Sequence, residues 1–301
     1  MNSSPEIKHY IYLGILSIFW GIAFLFAKVA VEGFTPITLT ATRVTIGAII
    51  VGLITLKIGG KFPSDIKNWI LCAFIGITGI IAPFSLLNWG LQYANSNVAA
   101  IFMALVPIMT LILAHIFTHD EKFTWPKLAG IICGLAGILV LFSDSAAITT
   151  DCYLLYFVLG SFLATAMGYA TAGILIRKLE TPDPLGTSAA ILFISSILVW
   201  PIAFIFEQPW MLNPEASHYY SVLVLGVFST GIATVMLVQL TNMVGASFVS
   251  YNTYIVPVIA MLAGYIWLNE PLKQTAILAI FLILFGIYLT QMLRSRSEID
   301  T

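Results

Sequence analysis

Residues 95–110 read NSNVAAIFMALVPIMT, and residues 245–260 read GASFVSYNTYIVPVIA. Each stretch opens on small or polar residues, turns apolar, and carries a proline at its thirteenth position, Pro107 and Pro257. Proline has no backbone donor and clashes with the preceding turn of a helix. The same interruption at the same place, 150 positions apart, points to a duplicated element. The correspondence extends outward. Glu121 and Glu270 follow the two proline segments, and Gly137 and Gly286 recur beyond them, both pairs 149 positions apart. Pro36 and Pro184 each open an apolar run, 148 positions apart. Few residues are identical between the halves; the repeat lies in the order of features at a nearly constant offset.

The solvent of this chain follows from its composition. Of 301 residues, 59% are hydrophobic and 9% charged, against about 25% charged in a soluble domain. Such a surface cannot be hidden in one water-soluble core. Runs of about 20 apolar residues match the length of a helix that crosses the hydrocarbon. Ten such runs are predicted, at 10–31, 36–57, 67–91, 96–117, 125–143, 152–177, 184–206, 218–241, 245–268 and 274–293. They do not alternate apolar with polar residues as barrel strands do. The expected fold is all-α: a polytopic membrane protein with ten transmembrane helices in two inverted-topology five-helix repeats. The repeats are expected at 1–146 and 147–301. The first run lacks the short apolar core and cleavage site of a signal peptide and reads as a retained span. Cys72, Cys133 and Cys152 have no metal-ligand spacing and read as small apolar residues. No cofactor or metal is expected.

Charge orients the bundle. Ten helices place both termini on one side, together with Lys8, Lys57, Lys61, Lys67, Lys122, Lys127, Arg177, Lys178, Arg294 and Arg296. Lys273 alone falls in a loop on the other side. Cations in short loops mark the cytoplasmic face, so the expectation is a cell-membrane protein with cytoplasmic N- and C-termini. Five helices per copy is an odd number, so the second copy enters the membrane from the opposite side. Inverted repeats are a common construction in secondary transporters.

The motifs in order, FWGIAFLFAK (19–28) and NWGLQYANSNVAAIFMALVPIMTLILAHIFTHDE (88–121), resemble the EamA-type branch of the drug/metabolite transporter superfamily. The second half closes on VPVIAMLAGYIWLNEPL (256–272). The resemblance spans the whole chain. It implies a two-repeat carrier whose central cavity is lined by helices from both halves, and a transport class without a substrate. In the second half, Gln239 and Met243 stand where the first has the aromatic pattern around Trp89 and Tyr93, so binding groups are not copied from one half to the other.

Candidate site residues follow from what hydrocarbon tolerates. A charge inside a span is costly and marks function by default. Lys28 and Arg43 are the two, Lys28 with the alternative of reaching the interface along its own stem, and Arg43 about 10 Å deep by helical rise. Either would favour a carboxylate or phosphate. The amides Asn88, Gln239 and Asn252 need partners or a wet cavity. Trp20, Phe24, Trp89, Tyr93, Tyr169, Tyr251 and Tyr254 form a candidate aromatic lining, with ordinary packing as the competing role of each. Pro107 and Pro257 are candidate kinks or gating bends. His115 reads as structural rather than as a proton relay, and no Asp or Glu falls near the middle of a span.

The resemblance implies export or exchange of amino acids, other small metabolites or drugs, and together with these residues it gives the expectation of a secondary transporter for small organic metabolites, amino acids or related zwitterionic and anionic solutes first. A drug, cation or nucleotide-type exporter of the same fold is the alternative. An intramembrane enzyme would need a nucleophile–base pair or a ligand set at membrane depth, and a channel would need a filter or charged ring; neither pattern is present. The expected partners are a small-molecule substrate and membrane lipid, with no nucleic acid, in a monomer or homodimer.

Overall fold

A backbone in hydrocarbon must satisfy its own hydrogen bonds, which leaves helices and closed barrels. The computed structural model describes residues 5–93, 96–118, 121, 123–142, 152–180, 183–268 and 275–297, and within them all regular secondary structure is helical, without strands. Ten rods run in chain order. They are α1 (Ile7–Gly33), α2 (Pro36–Ile58), α3 (Ile66–Gly90), α4 (Ser96–Met103 and Val106–Phe117), α5 (Trp125–Phe142), α6 (Cys152–Arg177), α7 (Pro184–Phe206), α8 (Ala216–Val244), α9 (Ala246–Ser250 and Asn252–Leu268) and α10 (Thr275–Ser297). Eight are long and apolar enough to cross a membrane; α5 and α10 contain shorter apolar stretches, Trp125–Leu141 and Ile277–Leu289.

Local chemistry sets the ends. Pro36 and Pro184 sit in the first turns of α2 and α7, where the missing donor costs nothing. Asp183 caps α7, accepting from Leu185 N at 2.9 Å. Asp65 caps α3, accepting from Asn68 Nδ2 at 2.6 Å and Asn68 N at 3.1 Å, and these bonds hold its carboxyl below the usual carboxylate range. Between α8 and α9 the turn is a single residue. Gly245 has φ 98°, a conformation that L side chains avoid, and Ala246 already begins α9.

The packing obeys the repeat. α5 and α10 lie against each other, and so do α2 and α7. The remaining helices exchange partners: α1 packs on α8 and α9, and α6 packs on α3 and α4. Each half therefore lends its first helix to the other half's third and fourth. The glycines of α5 and α10 show the same two-fold relation at residue level. A Cβ on Gly137 would lie 2.9 Å from Ala279 O and 2.7 Å from Ile283 Cγ1. A Cβ on Gly286 would lie 2.5 Å from Gly130 O and 2.8 Å from Gly134 N. Small residues at these points let the two backbones touch.

The α2–α7 pair is pinned along its length. At one end Glu207 accepts from Thr35 Oγ1 (2.6 Å), Ile37 N (2.9 Å), Thr38 N (2.7 Å) and Thr38 Oγ1 (2.9 Å) at the start of α2. In the middle Trp200 Nε1 donates to Thr45 Oγ1 at 2.9 Å, and Thr45 also bonds Ser196. At the other end Asp183 Oδ2 accepts from Lys61 N at 2.6 Å.

Candidate functional site

Two of the rods contain π-helical turns, Ile77–Ile81 in α3 and Leu225–Ile232 in α8, 148 positions apart. Such turns insert a residue, rotate the remainder of the helix about its axis, and concentrate at functional sites. In α3 the turn immediately precedes Pro83. In α8 it presents glycines to α2: a Cβ on Gly47 would lie 3.2 Å from both Gly226 O and Gly231 N, and one on Gly226 would lie 3.0 Å from Arg43 O. The close approach brings Arg43 to the π turn. Its Nε donates to Thr230 Oγ1 at 2.8 Å, and its guanidinium lies 4.2 Å above the Phe84 ring of α3. Tyr169 of α6 stands within electrostatic reach. Arg43 is 7% exposed. Among the described residues no carboxylate pairs with it, and its two Nη groups have no hydrogen-bond partner.

Trp20 joins the same turn. Its Nε1 donates to Ser229 O at 3.0 Å, while Ser229 Oγ donates back to Phe19 O at 3.2 Å. Adjacent residues of α8 therefore hold Trp20 and Arg43. Asn88 lies one turn beyond Phe84 on α3, the spacing that shares a helix face. It is buried, and its Nδ2 has no hydrogen-bond partner. Arg43, Phe84, Asn88, Trp20 and Tyr169 thus bring α1, α2, α3, α6 and α8 to one place.

Other predicted residues lie elsewhere. Trp89 and Tyr93 pack on each other at 5.3 Å, within an apolar cluster of α3, α4 and α6 that includes Val158 and Phe162. Gln239 accepts from Tyr12 Oη at 2.7 Å, toward the end where α1 begins. Tyr251 occupies the break in α9 and packs near Phe248, and Asn252 is buried at the start of the next segment. Tyr254 wedges against Gly134 and donates to Ile131 O at 3.0 Å, a packing role. Phe24 is half-buried, one turn past Trp20 on α1. The side chain of Lys28 and all of Glu270 lie outside the described residues. His115 Nδ1 accepts from Phe123 N at 3.2 Å, which orders the start of α5. Pro107 sits in the first turn of the second segment of α4, just after the break, whereas Pro257 lies inside a continuous segment of α9. The prolines match in sequence, but the breaks fall differently around them.

The profile of the EamA-like transporter family matches twice, over residues 7–143 and 156–292. The chain belongs to that family. Relatives extend over nearly its whole length. An uncharacterized transporter of Archaeoglobus fulgidus is 30% identical over 282 residues, covering 94% of this chain and 98% of the relative. The uncharacterized transporter YoaV of Bacillus subtilis is 26% identical, covering 96% and 99%. A probable terminal-alkyne amino-acid exporter of Streptantibioticus cattleyicolor is 22% identical, covering 83% and 82%. A crystal structure at 20% identity superposes with a TM-score of 0.81 over 98% of this chain and 100% of the other, a likeness of fold. This EamA family member is an integral membrane transporter with the two-repeat fold of that family. Thr230, Ser229 and Phe84, which contact Arg43 and Trp20, were not among the candidates read from the sequence. The available signal was the tripeptide Thr-Gly-Ile, at 78–80 and again at 230–232, inside both π turns.

Proposed function

We propose that this EamA family member is a secondary carrier that moves small carboxylate-bearing metabolites, amino acids or related anionic solutes, by alternating access between its two halves. The carrying observation is Arg43: buried, bonded through Nε to a hydroxyl, with no carboxylate partner among the described residues. An unpaired guanidinium in the membrane interior is costly. The planar fork formed by its remaining donors fits a carboxylate. Trp20 and Tyr169 supply surfaces for the rest of the solute, and an ammonium can rest on an aromatic face. A permanently cationic substrate is disfavoured beside Arg43. The amino-acid exporter among the relatives accords with a carboxylate cargo. The cation-rich loops, and with them both termini, are assigned to the cytoplasm by the positive-inside rule, with export or exchange as the mode of transport.

The test is a thermal-shift screen of purified protein against carboxylates, their neutral amides, and cations of similar size. Carboxylates should stabilise the protein, the matching amides should not, and Arg43→Gln should abolish the effect while the protein remains folded. Stabilisation by cations alone, or an unchanged carboxylate response in Arg43→Gln, would overturn the proposal.

A further inference from the structure

Glu121 follows α4 in a loop, yet it is 4% exposed. Its Oε1 accepts from Ala246 N and its Oε2 from Ser247 N, each at 2.8 Å. Arg177, at the end of α6, places Nε 3.7 Å from Glu121 Oε1 and donates from Nη1 to Asn242 O of α8 at 3.4 Å. The carboxylate joins the ends of α4 and α6 to the start of α9, and Arg177 ties the same group to the end of α8. These four ends belong to the two exchanged groups of helices, α3–α4–α6 on one side and α1–α8–α9 on the other. The contact crosses the seam along which a path between the groups would open. It lies at the end of the bundle where α1 begins, since Tyr10 packs on Phe248 at 5.1 Å.

The part of α9 that Glu121 holds is separable. Ala246–Ser250 is a single short segment, bounded by Gly245 at φ 98° and by the break at Tyr251. Charge-assisted bonds from backbone N–H to a carboxylate are stronger than neutral ones. Removing a contact made in one conformation shifts the population toward the other.

We infer that Glu121 is a gating residue: its carboxylate clasps the first turn of α9 to α4 and α6, and release of the clasp opens the path at the end of the carrier that bears the N-terminus. This rests on the alternating-access reading of the two halves. It makes Glu121 a positioning residue that acts on access rather than on the substrate.

The test places a reporter inside the clasp. Ser250 is 7% exposed and donates to Ser247 O at 2.8 Å, so Ser250→Cys is a near-isosteric probe. Its reaction with a membrane-impermeant thiol reagent is measured in inverted vesicles without substrate, against the same chain lacking the probe. Glu121→Gln removes the charge. Ala246→Pro removes one of the two donors at a helix position that tolerates proline, and answers the question if Glu121→Gln does not fold. Each should raise the labelling rate at least tenfold while the melting temperature holds. An unchanged rate in folded protein, or a lower melting temperature without faster labelling, would overturn the inference and leave Glu121 a static cap. Because no substrate enters this measurement, failure of the carboxylate reading would leave the labelling rates untouched.

Discussion

Arg43 is held by a hydroxyl from the other half of the chain, 187 positions away. Thr230 positions the guanidinium without neutralising it, and in the proposed carrier that charge meets the substrate carboxylate. Thr230→Val keeps the shape and deletes the acceptor. A hydrogen bond to a charged group contributes about 1.5–3 kcal/mol, so substrate affinity should fall roughly ten- to a hundredfold. The effect should appear in KM of proteoliposome flux, with the melting temperature nearly unchanged. An equal loss in Vmax alone would place Thr230 in a transport step rather than in binding. At this scale Arg43, Asn88, Trp20 and Tyr169 were legible, because a charge, an amide or a large aromatic stands out within an apolar run. Thr230, Ser229 and Phe84 were not. Hydroxyls satisfied by the carbonyl one turn earlier occur in many of these helices, as at Thr40, Thr55 and Ser195, so nothing local separates the one that faces Arg43.

The rods themselves were legible from run length, and their interruptions only in part. The sequence offered Pro107 and Pro257 as equivalent kinks. α4 breaks just before Pro107, while α9 breaks at Tyr251, one and a half turns before Pro257. The two π turns went unseen, since an inserted residue changes neither composition nor length enough to register. Helix contact is more readable, because glycine recurring at the same offset marks where backbones meet. Gly286→Val tests this at the α5–α10 pair. Its Cβ would meet backbone atoms, Gly130 O and Gly134 N, rather than a flexible side chain. Overpacking of this kind costs about 1–3 kcal/mol, to be seen as a lower melting temperature in detergent. Glu207→Ala should also destabilise, by about 0.5–2 kcal/mol for a lost cap and without steric strain, since it strips the first turn of α2 of its acceptors.

Over the whole molecule, the loop contacts place Lys61, Lys67, Arg177 and Lys178 at one end of the bundle, where Asp183 and Glu180 meet the end of α2 and the start of α3. The opposite end carries Glu207, Phe34 and Tyr219. A reporter fused after Arg296 should be active only when it matures in the cytoplasm; an external signal would reverse the proposed orientation. Sequence alone determined the solvent, the number of rods, their all-helical character and the two-fold repeat. Those come from free energies summed along the chain: twenty apolar residues partition into hydrocarbon whatever their neighbours are, and the same features at a constant offset make the same element twice. Tertiary structure alone decided which buried polar groups meet. It exchanged helices between the halves, set Thr230 against Arg43 and Glu121 against Ala246, and gathered the candidate residues of five helices. Lipid is as apolar as the helices, so the hydrophobic effect that inserts a span cannot choose its partner. That choice rests on close packing and a few long-range hydrogen bonds, whose partners lie more than a hundred residues apart.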